Sequence, residues 1–179
     1  MDVIAIVGSL RVGSVNAAAA RAAIEHAPGG MQIKIDDVAD VPLYNGDVEV
    51  EGVPAEVESL IDRVAISDGV IFFTPEYNSS LPAVTKNVID WLSRPPRRYE
   101  GTPVTIVATT PGGRAGAGVR SHFVDIMEHQ PIRLFDETHG IGQYREKFDE
   151  NVLTDPDAIV ELRAFLGRFA DFIESSPAG

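Results

Sequence analysis

Cysteine is absent from the chain, which excludes disulfides, thiolate nucleophiles and Cys-ligated zinc or iron–sulfur centres. Positive charge is scarce, with 15 Lys and Arg against 27 Asp and Glu, for a net charge of −12. Such a surface repels both nucleic acid and anionic membrane, and neither is expected as a partner. No apolar run approaches the roughly 20 residues that a bilayer-spanning helix needs. Met1 and Asp2 lead straight into VIAIVG, with no basic segment or cleavage pattern, so the expected compartment is the cytoplasm. Histidine is sparse too: His122 and His129 stand two helical turns apart, and His26 and His139 are isolated. These spacings bring no metal-ligand set together, and surface or capping roles are expected for all four. Internal repeats and low-complexity tracts are missing, and a chain of 179 residues is expected to fold as one domain over residues 1–179.

What is present centres on GSLRVGSVN, Gly8 to Asn16, directly after the apolar run Val3–Val7. Ser9 and Ser14 offer hydroxyls, Arg11 a planar fork of charged donors and Asn16 an amide, beside the N-terminus of an Ala-rich helix. Gly8 and Gly13 let the backbone approach a ligand closely. Two familiar phosphate loops are ruled out. A P-loop requires Lys at 14 and Ser or Thr at 15, where Ser14 and Val15 stand, and the G-x-G-x-x-G fingerprint fails at Leu10. Two readings stay open from the loop alone: a phosphate cradle, or an ordinary strand-to-helix turn capped by Ser14.

The order of elements supplies context. Val3–Val7, Val70–Thr74 and Val104–Ala108 are continuous apolar runs, as expected of strands buried on both faces of a parallel sheet. Met31–Ile35 alternates as a half-exposed strand, and Ile132–Leu134 reads as an edge strand. Between them fall helical patterns from about Ser14 or Val15 to His26, then after Pro54, after Pro82 and through Val119, Phe123 and Met127. A last helix is capped by Asp155 with Pro156 at its first position. The predicted fold is α/β: a doubly wound parallel sheet of five strands in the order 2-1-3-4-5, with helices on both faces. In that order a ligand lies beyond the carboxyl ends of the strands, where three loops converge: Gly8–Asn16, Pro75–Pro82 and Thr109–Gly118. The second carries Tyr77 as an aromatic surface, with Asn78 and Glu76; the third carries four glycines with Thr109 and Thr110. A phosphate at one end and a flat heteroaromatic ring at the other describe a mononucleotide, and FMN fits best.

Two blocks carry a family resemblance. GSLRVGSVN and PEYNSSLPAVTKNVIDWLSR resemble, in that order and at matching strand ends, the hallmark segments of the flavodoxin-like NAD(P)H-dependent FMN reductases, a group that includes quinone, chromate and azo-dye reductases. The resemblance implies that Ser9, Arg11, Ser14, Val15 and Asn16 hold the FMN phosphate. It implies that Pro75, Glu76, Tyr77 and Asn78, largely through backbone atoms, hold the isoalloxazine edge, with Thr110, Gly112 and Gly113 contributing from the third loop. That loop departs from the family's usual serine and glycines. The resemblance further implies NADPH or NADH as reductant, a small-molecule electron acceptor, and self-association as a dimer or tetramer through the helix after the second block. Lys86, Asn87, Asp90 and Trp91 are then interface or core residues, and Trp91, on the apolar stripe, is expected to be buried. No side chain is assigned a catalytic role, because hydride transfer from nicotinamide C4 to flavin N5 requires no side-chain acid or base. The Glu76 carboxylate is expected to be solvated, and Arg114 either meets a dinucleotide phosphate or is solvated. The alternative is a flavodoxin-type electron carrier, or a flavin-binding protein with little turnover. The acidic surface suits the carrier, whereas Arg11 departs from its usual Thr- and Ser-rich phosphate loop.

Overall fold

The structure, a computed structural model, describes residues 1–175. Three strands of almost entirely apolar sequence form its centre: β1 (Asp2–Val7), β3 (Gly69–Thr74) and β4 (Pro103–Thr109). They lie parallel, flanked by β2 (Gln32–Asp36) on one side and β5 (Arg133–Leu134) on the other, and the sheet order is β2-β1-β3-β4-β5, the expected 2-1-3-4-5. Successive side chains on these strands point to opposite faces. On one face Val3, Ala5, Val7, Ile71, Phe73 and Val107 pack under α1 (Val15–Glu25) and the long α7 (Pro156–Glu174). On the other, Ile4, Ile6, Val70, Phe72, Ile106 and Ala108 pack under α3 (Ala55–Ala65), α4 (Ala83–Leu92) and α5 (Ala117–Met127). The alanines of α1 are small enough to let that helix lie close to the sheet: Ala19 and Ala23 are fully buried. Ser14 and Asp155 cap α1 and α7 as their sequence positions foretell, accepting the N–H of Ala17 at 3.3 Å and of Ala158 at 2.8 Å.

The fifth strand departs from expectation. It consists of two pieces, β5 (Arg133–Leu134) and β6 (His139–Ile141), both parallel to β4. Val104 pairs with Leu134 but Val107 pairs with His139, so the edge segment carries two residues more than β4 over that interval and bulges away. The Thr105 hydroxyl donates to the Glu137 carbonyl at 3.0 Å and anchors the bulge. A bulged edge does not show the alternation that marks a strand in sequence. The polar stretches hold further short elements with no sequence signal: α2 (Gly46–Glu51), α6 (Tyr144–Lys147), and a hairpin of β7 (Phe148–Asp149) and β8 (Val152–Leu153). Among the described residues no helix is long and apolar enough to cross a membrane.

Candidate active site

The three loops do converge beyond the carboxyl ends of β1, β3 and β4, and they enclose a cleft of about 220 Å³. Its lining includes Ser9, Arg11, Ser14, Val15 and Asn16 from the first loop and Pro75, Glu76 and Tyr77 from the second. Thr109, Thr110 and Pro111 come from the third, and Tyr144 closes one side. The first loop presents an anion-holding end. Gly13 turns the chain at φ +73°, and α1 then opens with the N–H groups of Val15 and Asn16 free of backbone acceptors. The Ser14 hydroxyl accepts from the helix and still has its own proton to donate. Arg11 is exposed, and its guanidinium hydrogen-bonds to nothing among the described residues. At the other end the Thr109 hydroxyl is buried at the cleft wall without a partner. An open helix terminus with a free guanidinium, plus an orphaned hydroxyl, is a donor set that fits a phosphorylated ligand such as FMN.

Several residues take roles other than those their sequence positions suggest. Gly8 faces the core rather than a ligand. A Cβ there would lie 1.9 Å from Thr85 Oγ1 and 2.7 Å from Thr74 Oγ1, so the glycine makes room for the hydrogen-bonded hydroxyls of these two buried threonines. The Asn16 amide is turned away from the phosphate end. Its Oδ1 accepts the Thr109 N–H at 3.1 Å and its Nδ2 donates to the Thr109 carbonyl at 3.4 Å. β3 pairs with β4 only as far as Ala108, opposite Thr74, so a side-chain amide answers the peptide groups one residue beyond the end of the ladder. What Asn16 can offer a phosphate is its backbone N–H.

The Glu76 carboxylate is not a solvated loop charge. It accepts the Val119 N–H at 2.9 Å and so caps α5, whose own N-cap position is a left-handed Gly116 with no side chain to do it. Gly118 lies close against this contact: a Cβ there would stand 3.0 Å from the Glu76 oxygen and from the Ser79 carbonyl. Second and third loops are thereby tied together. Asn78 sits at the tip of a tight turn in which Tyr77 and Ser80 exchange backbone hydrogen bonds of 3.1 and 3.0 Å. Asn78 and Ser79 both have positive φ, as that turn requires, and Asn78 does not line the cleft. Gly112 and Gly113 also lie off its lining, on the exposed outer side of the third loop.

Of the four residues of α4 singled out from the sequence, Trp91 is fully buried, and it donates from Nε1 to the Pro42 carbonyl at 2.7 Å. Asn87 donates to the same carbonyl at 2.9 Å and accepts the Tyr44 N–H at 2.8 Å. Together they moor the segment after β2 to the core. Lys86 and Asp90 pair on the helix surface. His139 is half-buried: its ring stacks on Phe165 with centroids 5.3 Å apart, and its Nε2 is buried with no partner among the described residues. Burial first, then the charges of Arg120, Arg168 and Lys147, pushes it from the usual 6.5 to about 4.

Tyr144 is the cleft residue that no pattern in the sequence points to. It follows Gln143, which turns the chain at φ +53°, and its N–H donates to the Thr110 carbonyl at 3.3 Å. The three-residue strand β6 that delivers it is too short to register as a pattern.

Comparison with known proteins agrees with this architecture. A family model of NADPH-dependent FMN reductases matches residues 1–163. The quinone reductase of Escherichia coli (strain K12) is 36% identical over 180 residues, covering 97% of this chain and 96% of that protein. The NAD(P)H-dependent FMN reductase PA1204 of Pseudomonas aeruginosa is 43% identical over 123 residues, 68% of this chain and 66% of that protein. Among solved structures, FerB of Paracoccus denitrificans, a flavoenzyme NAD(P)H:(acceptor) oxidoreductase, superposes with a TM-score of 0.87 at 30% identity over 97% of each chain. With the phosphate-loop cleft, the flavodoxin-like sheet order and these relatives in agreement, the chain belongs to the NADPH-dependent FMN reductase family, enzymes that use FMN with reduced nicotinamide as the electron source.

Proposed function

We propose that the chain is a quinone-type reductase of this family, with FMN in the 220 Å³ cleft and a small quinone-like molecule as electron acceptor. The observation that carries the reading is the junction of a free cationic anchor with a ring-sized cleft. Arg11, Ser9, the Ser14 hydroxyl and the opening N–H groups of α1 hold the phosphate. The Glu76 N–H, which meets no acceptor among the described residues, and the unpartnered Thr109 hydroxyl would address the ring. The chemistry supplied by FMN when bound is acceptance of hydride at N5 and delivery of two electrons to the acceptor. Tyr77, 55% exposed at the rim, would limit access to a bound flavin. Glu76, committed to Val119, holds the two ring-binding loops in register and exchanges no proton in this scheme.

The residues are read as one FMN-binding domain over 1–179 acting in the cytoplasm, and self-association as a dimer or tetramer remains part of the proposal. The exposed Lys86–Asp90 pair on α4 is available to a second copy of the chain. The test is an absorbance spectrum of protein purified without added flavin, repeated after anaerobic NADPH and again after a quinone. A flavin spectrum that bleaches and then recovers with multiple turnovers supports the enzyme. Bleaching without recovery on quinone points to a carrier, and a protein that ignores added FMN refutes the assignment of the cleft.

A further inference from the structure

The chain carries twelve arginines, and nine of them hydrogen-bond to other protein groups. Among the described residues the side chains of the other three, Arg11, Arg114 and Arg145, have no hydrogen-bond partner, although acidic side chains outnumber basic ones by 27 to 15. All three lie at the end of the sheet where the loops converge. Guanidinium groups left unpaired in so acidic a protein mark the place where an anion is received.

Two clefts flank the first loop besides the one assigned to FMN, and they differ in charge. The cleft on the β2 side, about 390 Å³, is lined by Asp36 and Asp37 as well as Arg11. Asp36 is already ion-paired with Arg63 at 2.8 Å. The cleft on the α6 side, about 270 Å³, is lined by Arg11, Arg145, Tyr144, Phe148 and Asn151 and by no carboxylate. It shares Arg11, Val15 and Tyr144 with the FMN cleft, so a ligand passing over Tyr144 occupies both. Arg145 sits with its guanidinium carbon 5.9 Å from the Tyr144 ring centre, its hydrogen-bonding edge unused. The β7–β8 hairpin leans the Asn151 amide toward Gly13, 3.7 Å from where a Cβ would be, and closes the far wall.

On the reading that FMN fills the neighbouring cleft, we infer that this second cleft receives the adenosine end of the nicotinamide dinucleotide, with Arg145 binding the 2′-phosphate of NADPH. Tyr144 and Phe148 offer flat apolar surfaces to the adenine, and Asn151 offers a donor and an acceptor to its edge or to the ribose. An arginine beside the ribose is the general means by which a protein accepts a 2′-phosphate, whereas in the β2-side cleft the Asp37 carboxylate offsets Arg11. The arrangement makes NADPH, rather than NADH, the preferred reductant.

The test is calorimetric titration of FMN-loaded protein with adenosine 2′,5′-bisphosphate and with adenosine 5′-monophosphate, in the wild type and in Arg145→Gln. Arg145 is exposed and holds no other residue, so the variant folds. The wild type is expected to bind the bisphosphate about tenfold or more tightly than the monophosphate, the range of a charged hydrogen bond. Arg145→Gln is expected to erase that advantage, to raise KM for NADPH with kcat retained, and to leave FMN affinity by fluorescence quenching where it was. A bisphosphate advantage that is absent in the wild type, or intact in the variant, overturns the inference. A loss of FMN affinity in the variant also overturns it, by assigning Arg145 to the flavin phosphate. A wild-type protein that binds no FMN refutes the cleft assignment itself, which is a separate failure.

Discussion

Replacing Asn16 by alanine separates two roles that the sequence alone conflates. Asn16 is 2% exposed and Thr109 is 1% exposed, so the Thr109 N–H that now donates to Oδ1 at 3.1 Å would be left buried without a partner. A buried donor stranded in this way costs about 1–3 kcal/mol. The 3.4 Å contact from Nδ2 is long and adds little. Taking about 2 kcal/mol, the melting temperature of a chain of this size falls by about 4–8 °C. The same change loosens the root of the third loop, so affinity for FMN and for riboflavin should fall together. Arg11→Ala should do the reverse, leaving the melting temperature of the flavin-free protein unchanged and costing about 1.5–3 kcal/mol of FMN affinity while riboflavin binding holds. The assay is thermal unfolding monitored by circular dichroism, with flavin affinities from fluorescence quenching. If Asn16→Ala melts with the wild type and loses FMN affinity alone, the amide is a phosphate ligand and the clamp is refuted.

Two further substitutions probe the frame of the site. Gly8→Ala drives a methyl group into the Thr74–Thr85 hydroxyl pair and should destabilise the fold more than Asn16→Ala does; adding Thr85→Ala should restore part of the loss, and strict additivity in denaturant titrations would count against the clash. His139, held near 4 in the folded state against 6.5 when free, takes up its proton more readily in the unfolded chain. Its contribution to stability is therefore complete above pH 6.5 and is lost as the pH falls toward 4. His139→Leu should flatten that part of the stability profile, and an unchanged slope would show that the ring is not desolvated.

Much of the frame is legible in the chain. Runs such as Val3–Val7 and Val70–Thr74 have no polar face, so they can only be central strands. Ser14 and Asp155 mark helix starts by chemistry that acts within three residues. The edge of the sheet is less legible because its bulge hides the pairing of β6, and Tyr144 is hidden with it. The misread roles share one cause: Glu76 meets Val119 43 residues away, and Asn16 meets Thr109 93 residues away.

By itself, then, the sequence determined the strands, the three loops and the anion-holding character of the first. Hydrophobic runs, turn residues and caps act locally and survive in one dimension. Only the tertiary structure decided which polar groups are consumed in holding the loops to one another, as with Asn16, Glu76 and Gly8, and which, as with Arg11, Arg145 and Thr109, are left for a ligand. A hydrogen-bonding group is free or spent according to what the fold sets within about 3 Å of it, and that distance is written nowhere in the order of residues.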